Sequence, residues 1–245
     1  MGGSALAYNL YRFTWTALDW IFPPVCGGCG KPGSRWCHEC QKNVPVIDGN
    51  VCDSCGTPQS AEGLCEACRR ERPPYRALRS WLAFDDPIRS ALHHLKYRRD
   101  VGLGDSLSAQ MVNFVHGLGW PIEVVVPIPL SQARRRERGY NQVALIAHPL
   151  SLALGLGYAP QALVRWKNTH SQVGLTREQR RENVRGVFRA DPARIRGKTV
   201  LLMDDVATTG STLVAGAEAL LEGGASQVYA LTVARALARH GLRHV

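Results

Sequence analysis

The 245-residue sequence predicts an α/β fold, a mainly parallel sheet flanked by helices, preceded by a small cysteine-rich module. Three observations carry this. From about Tyr75 onward, apolar runs alternate with helical patterns in the order strand, helix, strand, helix, strand, as layered α/β domains require. Two of these runs, IEVVVPIPL (Ile122–Leu130) and Thr199–Met203, are β-branched or aliphatic without polar alternation, which suits strands covered on both faces. All eight cysteines fall between Cys26 and Cys68, and the composition changes at ERPPYRAL. The organisation expected is an N-terminal amphipathic helix over 1–24, a cysteine module over 25–72 and an α/β domain over 75–245.

The first segment, MGGSALAYNLYRFTWTALDWIF, places Leu6, Leu10, Phe13, Ala17 and Ile21 near helical spacing and stops at Pro23-Pro24. It lacks the charged start, continuous apolar core and small-residue cleavage site of a secretory signal. It is expected to dock on its own protein rather than on a membrane surface. No run approaches the roughly 20 apolar residues of a membrane span, so a cytoplasmic chain without a transmembrane segment is expected.

The cysteines form four C-x-x-C pairs: Cys26/Cys29, Cys37/Cys40, Cys52/Cys55 and Cys65/Cys68. Two thiolates at this spacing reach one tetrahedral Zn²⁺, and eight ligands suffice for two closed Cys₄ sites. Disulfides belong to secreted chains, and iron–sulfur clusters use other spacings. The intervening loops of seven and nine residues favour sequential pairing over a cross-braced arrangement. His38 is a bystander on this reading. Metal is expected to fold this small segment, and chelation to melt it while the rest stays folded.

In the second part RALRSWLAF reads as a strand, and PIRSALHHLKY as a helix with Ile88, Ala91, Leu92 and Leu95 on one face and His93 and His94 elsewhere on its surface. A helix over Leu103–Val115, the strand in IEVVVPIPL and a helix over Gln142–Leu154 follow. A polar stretch, Lys167–Arg185, has the length and composition of a lid. Thr199–Met203 is the next strand, Leu213–Leu221 a helix stopped by Gly223-Gly224, and SQVYALTVA the last strand.

The formal charge of +10 favours a polyanionic partner: nucleic acid, a phosphorylated metabolite or an acidic membrane surface. The most specific string is VLLMDDVATTGST, where a buried strand runs into two carboxylates, Asp204 and Asp205, and then a small-residue loop. A loop of Ala207, Thr208, Thr209, Gly210, Ser211 and Thr212 before a helix offers free backbone N–H groups and the positive end of a helix dipole to a phosphate. Carboxylates beside that anion need other partners, and neighbouring sugar hydroxyls supply them. Neither G-x-x-x-x-G-K-[ST] nor a G-x-G-x-x-G opening a helix after a strand occurs. ARRRERGYNQ places four arginines just after a strand end, where α/β sheets gather ligands and where guanidinium forks suit pyrophosphate. Lys96 is a weaker candidate for a phosphate contact.

The string resembles the phosphoribosyl pyrophosphate (PRPP) signature of type I phosphoribosyltransferases. With FPPVCGGCG, the cysteine module, HHLKYRRD, VVPIPLSQARRRERGYNQ and THSQVGLTREQRRENVRGVF, the chain is similar to the ComF family over nearly its whole length. The resemblance implies a type I phosphoribosyltransferase-like domain behind a double zinc ribbon. It implies that Asp204 and Asp205 take the ribose 2′- and 3′-hydroxyls and act as the catalytic pair, while Ala207–Thr212 holds the 5′-phosphate. A pyrophosphate loop near Pro129–Arg136 is implied too, with Arg138, Asn141 and Gln142 as pyrophosphate candidates and Thr169, Gln172, Arg180 and Asn183 as lid candidates. The implied cofactors are two structural Zn²⁺ ions and Mg²⁺ with PRPP. The implied partners are PRPP or a related phosphoribosyl ligand, and single-stranded DNA or the DNA-uptake machinery; no oligomeric state is implied.

The expected activity is phosphoribosyl transfer from PRPP to an unspecified acceptor with release of pyrophosphate. Two readings stand beside it: a PRPP or nucleotide sensor without catalysis, and a zinc-ribbon DNA-binding accessory protein whose α/β domain is structural.

Overall fold

The computed structural model describes Tyr8, residues 23–166 and residues 186–237. The helix expected over 1–24 therefore lies, apart from Tyr8, Pro23 and Pro24, outside the described residues, as does the whole of the expected lid, Lys167–Arg185. The elements are α1 (His38–Asn43), α2 (Glu66–Arg70), β1 (Leu78–Ala83), α3 (Ile88–Tyr97), α4 (Leu103–Gly117), β2 (Val124–Pro127), α5 (Gln132–Arg138), α6 (Gln142–Leu154), β3 (Gly157–Tyr158), β4 (Leu163–Arg165), β5 (Phe188–Ala190), α7 (Pro192–Ile195), β6 (Thr199–Ala207), α8 (Ser211–Glu222) and β7 (Gln227–Arg235). None of the described helices is long and apolar enough to cross a membrane.

Five strands form one sheet in the order β1-β7-β6-β2-β3, and every neighbouring pair is parallel. The apolar runs find their explanation here. Along β6, Leu201 and Met203 enter a core with Ile88, Leu92, Leu95, Leu103 and Ile146 from α3, α4 and α6. Val200 and Leu202 enter a second core on the opposite face, with Leu213, Ala217 and Leu220 of α8 and with Leu163 and Phe188. Strands buried on both faces have no solvent side on which to alternate polar residues. The antiparallel β4-β5 ribbon stands apart as a second small sheet on the α8 side.

The helix face expected on α3 is the buried one, and α6 has the bounds that the sequence predicts. Strand β6 departs from expectation by running to Ala207 rather than Met203, so Asp204 and Asp205 stand on the strand and not in the loop beyond it. The arginine-rich segment, expected as loop, is the helix α5, capped by the Ser131 hydroxyl, which accepts from Arg134 N at 3.3 Å.

The cysteine module is not packed as a separate body. Cys26, Trp36 and Cys40 belong to the same core as Leu103, Met111 and Leu82. Val46 bridges to Leu82 in antiparallel fashion, and Ala83 N donates to Pro45 O at 2.9 Å. Farther along, Leu78 N donates to Ser54 O at 2.7 Å, and the Arg79 guanidinium donates to the carbonyls of Cys52 and Asp53. Arg235, buried at the end of β7, reaches the Cys55 carbonyl and the Thr57 hydroxyl. Gly56 has φ +66, and a Cβ there would lie 2.3 Å from Leu78 O, so only glycine lets this knuckle close onto β1.

Candidate functional site

Two groups of four cysteines converge: Cys26, Cys29, Cys37 and Cys40, and Cys52, Cys55, Cys65 and Cys68, their sulfurs within 4.8 Å of one another. The pairing is thus sequential, and among the described residues no histidine joins either group. The donor chemistry fits Zn²⁺: four thiols at one point, with backbone N–H groups turned toward sulfur (Cys37 N and Cys65 N each 3.3 Å from the Sγ of Cys26 and Cys52). Burial would push the Cys26 thiol up, yet amides of Cys37, Cys29 and Gly28 outweigh it and bring it down to about 7. Amides of Cys65, Cys55 and Ser54 likewise overcome burial and bring Cys52 down to about 6. Zn²⁺ bound here would tie together loops too small to bury a core of their own.

The second site forms at the carboxyl end of β6. The strand pairs β2 through Pro127 and Met203, so the chain leaving β2 toward α5 starts beside Asp204. Beyond Ala207 it turns at Thr208–Gly210 into α8. Gly210, at the N-cap, supplies the left-handed conformation (φ 77) that this turn needs and offers no capping side chain, and the Thr209 hydroxyl accepts from Ser211 N at 3.4 Å. The Thr209 and Ser211 hydroxyls lie 2.8 Å apart at its mouth. A cavity of about 640 Å³ continues from Thr209 and Ser211 to Tyr75 and to Cys55 and Cys68, so the second ribbon is the neighbour of the turn.

The two carboxylates differ sharply. Asp205 is buried, and its Oδ2 lies 2.5 Å from Lys96 Nζ and accepts from Gln142 Nε2 at 3.3 Å. Its Oδ1 accepts from Val206 N at 2.9 Å. Burial favours protonation of Asp205, but the Lys96 charge and the hydrogen bonds of Lys96 and Gln142 prevail and hold it below the usual range. Asp204 has no such partner. Burial and then the Asp205 charge push it up to about 8, although its Oδ1 accepts from Asp205 N. Arg165, at the end of β4, is close enough for its charge to act on Asp204.

The structure ties two of the three pyrophosphate candidates, Arg138 and Gln142, to each other and to Asp205. Arg138 is buried at the end of α5; it donates to Gln142 Oε1 at 2.8 Å and lies over the Tyr97 ring at 5.0 Å. Gln142 passes the chain on to Asp205. Asn141 caps α6, accepting from Val143 N at 3.0 Å, and donates to Ile128 O at 2.9 Å. Thr169, Gln172, Arg180 and Asn183 lie outside the described residues. The partnership of Lys96 with Asp205 and the nearness of Arg165 were not anticipated. Position 96 follows the buried Leu95 on α3, which was the available signal.

Residues 17–69 match the double zinc ribbon domain family, and residues 139–243 the phosphoribosyl transferase domain family. The DNA utilization protein YhgH of Escherichia coli (strain K12) is 30% identical over 226 residues, spanning 88% of this chain and 98% of that protein. The competence protein ComFC of Bacillus subtilis (strain 168) is 29% identical over 231 residues, covering 91% and 89%. The competence protein F of Haemophilus influenzae (strain ATCC 51907 / DSM 11121 / KW20 / Rd) is 28% identical over 209 residues, covering 82% and 90%.

Proposed function

Because the chain belongs to the ComF family, with its double zinc ribbon and phosphoribosyl transferase domain, we propose that it binds PRPP at the end of β6 and transfers the phosphoribosyl group, with release of pyrophosphate, in the service of DNA uptake or utilization. The observation that carries this reading is the succession, on one strand and its turn, of an acid pair and a helix start with glycine at its N-cap. Asp204 and Asp205 accept hydrogen bonds from the ribose 2′- and 3′-hydroxyls. The turn from Ala207 to Thr212 receives the 5′-phosphate through backbone N–H groups and the hydroxyls of Thr209 and Ser211.

Displacement at the anomeric carbon builds positive charge on the ribose ring, and a carboxylate fixed beside the ring stabilises it without forming a bond. The pyrophosphate end would face α5, which follows β2 on the same edge of the sheet and carries Arg134, Arg135 and Arg136. Mg²⁺ arriving on the pyrophosphate would neutralise the leaving group. Asp205 is already engaged by the Lys96 ammonium and the Gln142 amide, so it takes the sugar rather than that metal.

Isothermal titration with PRPP and Mg²⁺, followed by assay of pyrophosphate release with purine, pyrimidine and amine acceptors, tests this reading. Wild type should bind, and the double variant Asp204→Asn, Asp205→Asn should not. Failure of wild type to bind PRPP overturns the proposal. Binding without release on any acceptor assigns the site to a sensor instead.

A further inference from the structure

We propose that Lys96 is the resident counter-cation of the acid pair, standing at Asp205 where a divalent ion would otherwise sit, so that the sugar end of the site works without a metal of its own. The inference deepens the reading of β6 as a sugar-diol site and rests on it for what the pair binds, but not for the state of the pair itself. Lys96 lies in residues 70–138, between the segments matched by the two domain families.

What converges on Asp205 is a set of donors. Lys96 Nζ lies 2.5 Å from Oδ2, Gln142 Nε2 points at the same oxygen from 3.3 Å, and Val206 N occupies Oδ1. A hard cation would gather roughly six oxygens, several of them water, around one point beside a carboxylate oxygen, and at Oδ2 that place is taken by the ammonium. The side-chain oxygen that Gln142 could have offered is turned away and accepts from Arg138 Nη1 at 2.8 Å. The Asp204 Oδ1 is directed at Asp205 N, 2.9 Å away.

A divalent ion bound to Asp205 Oδ2 would lie within a few ångströms of the ammonium, in a place where the side chains of Lys96 and Asp205 are only 22% and 10% exposed. Repulsion between such charges is weakly screened there. Lysine suits this post: it is a compact point charge with three donors, able to hold Asp205 and still offer an N–H to a ligand hydroxyl. The position is also fixed from behind. Lys96 sits in the last turn of α3, whose Ile88, Ala91, Leu92 and Leu95 are buried against the sheet, and Tyr140 OH donates to Leu95 O at 2.7 Å.

The test is titration of the zinc-loaded full chain with Mn²⁺ alone, read by electron paramagnetic resonance, for wild type, Asp205→Asn, Lys96→Met, Lys96→Arg and the double variant Lys96→Met, Asp205→Asn. No phosphoribosyl compound is present, so a failure to bind PRPP would sink the proposed function and leave this result standing. Wild type, Asp205→Asn and Lys96→Arg should take up Mn²⁺ alike. Lys96→Met should gain a site at least about tenfold tighter than wild type, since one positive charge beside the carboxylate is gone, and the added Asp205→Asn change should abolish it. Folding of each variant is checked by its zinc content and melting curve. If Lys96→Met folds and binds Mn²⁺ no tighter than wild type, the inference is overturned. It is equally overturned if wild type already binds Mn²⁺ in a manner that Asp205→Asn removes, a comparison that needs no lysine variant at all.

Discussion

Asp204 and Asp205 are neighbours on one strand, and only Asp205 has an ammonium against it. Its neighbour is left to feel both burial and an adjacent negative charge, and is pushed up to about 8. The folded protein therefore holds a proton that the unfolded chain releases in the ordinary carboxylate range. Between that range and about pH 8 the folded state binds more protons than the unfolded one, so this residue withdraws stability as pH rises. Asp204→Asn removes the penalty. It should raise the melting temperature of the ligand-free protein, more at pH 8.5 than at pH 6, with the gain levelling off above about pH 8. Differential scanning fluorimetry at several pH values measures this, and an equal gain at all of them would contradict it.

The metal sites should matter to the whole molecule. Cys26, Trp36 and Cys40 are part of the core that contains Leu103, Leu92 and Met203. Stripping Zn²⁺ would withdraw one wall of that core, so chelation should lower and broaden the main calorimetric transition of the α/β domain. A main transition left at its original temperature would instead show that the ribbons melt alone, as their size and composition suggest.

Gly56→Ala should loosen the second ribbon from β1. The left-handed backbone costs alanine about 1–2 kcal/mol by itself, and the clash with Leu78 O comes on top. Gly63 also has a positive φ, but nothing lies within 4 Å of a Cβ there. Gly63→Ala should therefore show the backbone cost alone. Melting temperature and zinc content, compared between the two variants, separate close approach from backbone strain.

Gln142→Leu should cut the line between Arg138 and Asp205. Each charged group would then lack one buried hydrogen bond, a loss of about 1–3 kcal/mol. The variant should melt lower and, if β6 binds PRPP, should bind it more weakly. Urea denaturation together with PRPP titration checks both effects. A variant as stable as wild type would show that the contact contributes nothing measurable.

Much of this architecture was legible because its causes are local. Paired cysteines announce metal sites by spacing alone, and β2 and the first half of β6 announce burial on both faces by their apolar runs. The bounds of α6 follow from Asn141, a capping residue, placed before an apolar stretch, and from Gly155 after it. Helix α5 was missed for the opposite reason: QARRRER has no apolar periodicity to betray a helix. The end of β6 was misjudged because a carboxylate looks like the end of a buried strand, and it is the tertiary partners Lys96 and Gln142 that make Asp205 tolerable inside one. Arg138 and Gln142 carried the polarity of ligand contacts; they stand four residues apart and serve each other across the α5–α6 turn, whereas the tie of Gln142 to Asp205, 63 residues farther along the chain, is decided by the packing of that turn on β6.

The sheet order has a consequence for how the chain is made. Strand β1 pairs with β7, its Ser80 hydroxyl 2.7 Å from that of Thr232, across a separation of 152 residues. On the ribosome the ribbons and β1 emerge first and have no sheet edge to join until the last strand has cleared the exit tunnel. The thiols can take metal as soon as they are synthesised, whereas the core that they share with α4 has to wait. Metal loading and domain folding are therefore separated in time during synthesis, and the nascent chain should hold its Zn²⁺ before it has a sheet to dock on.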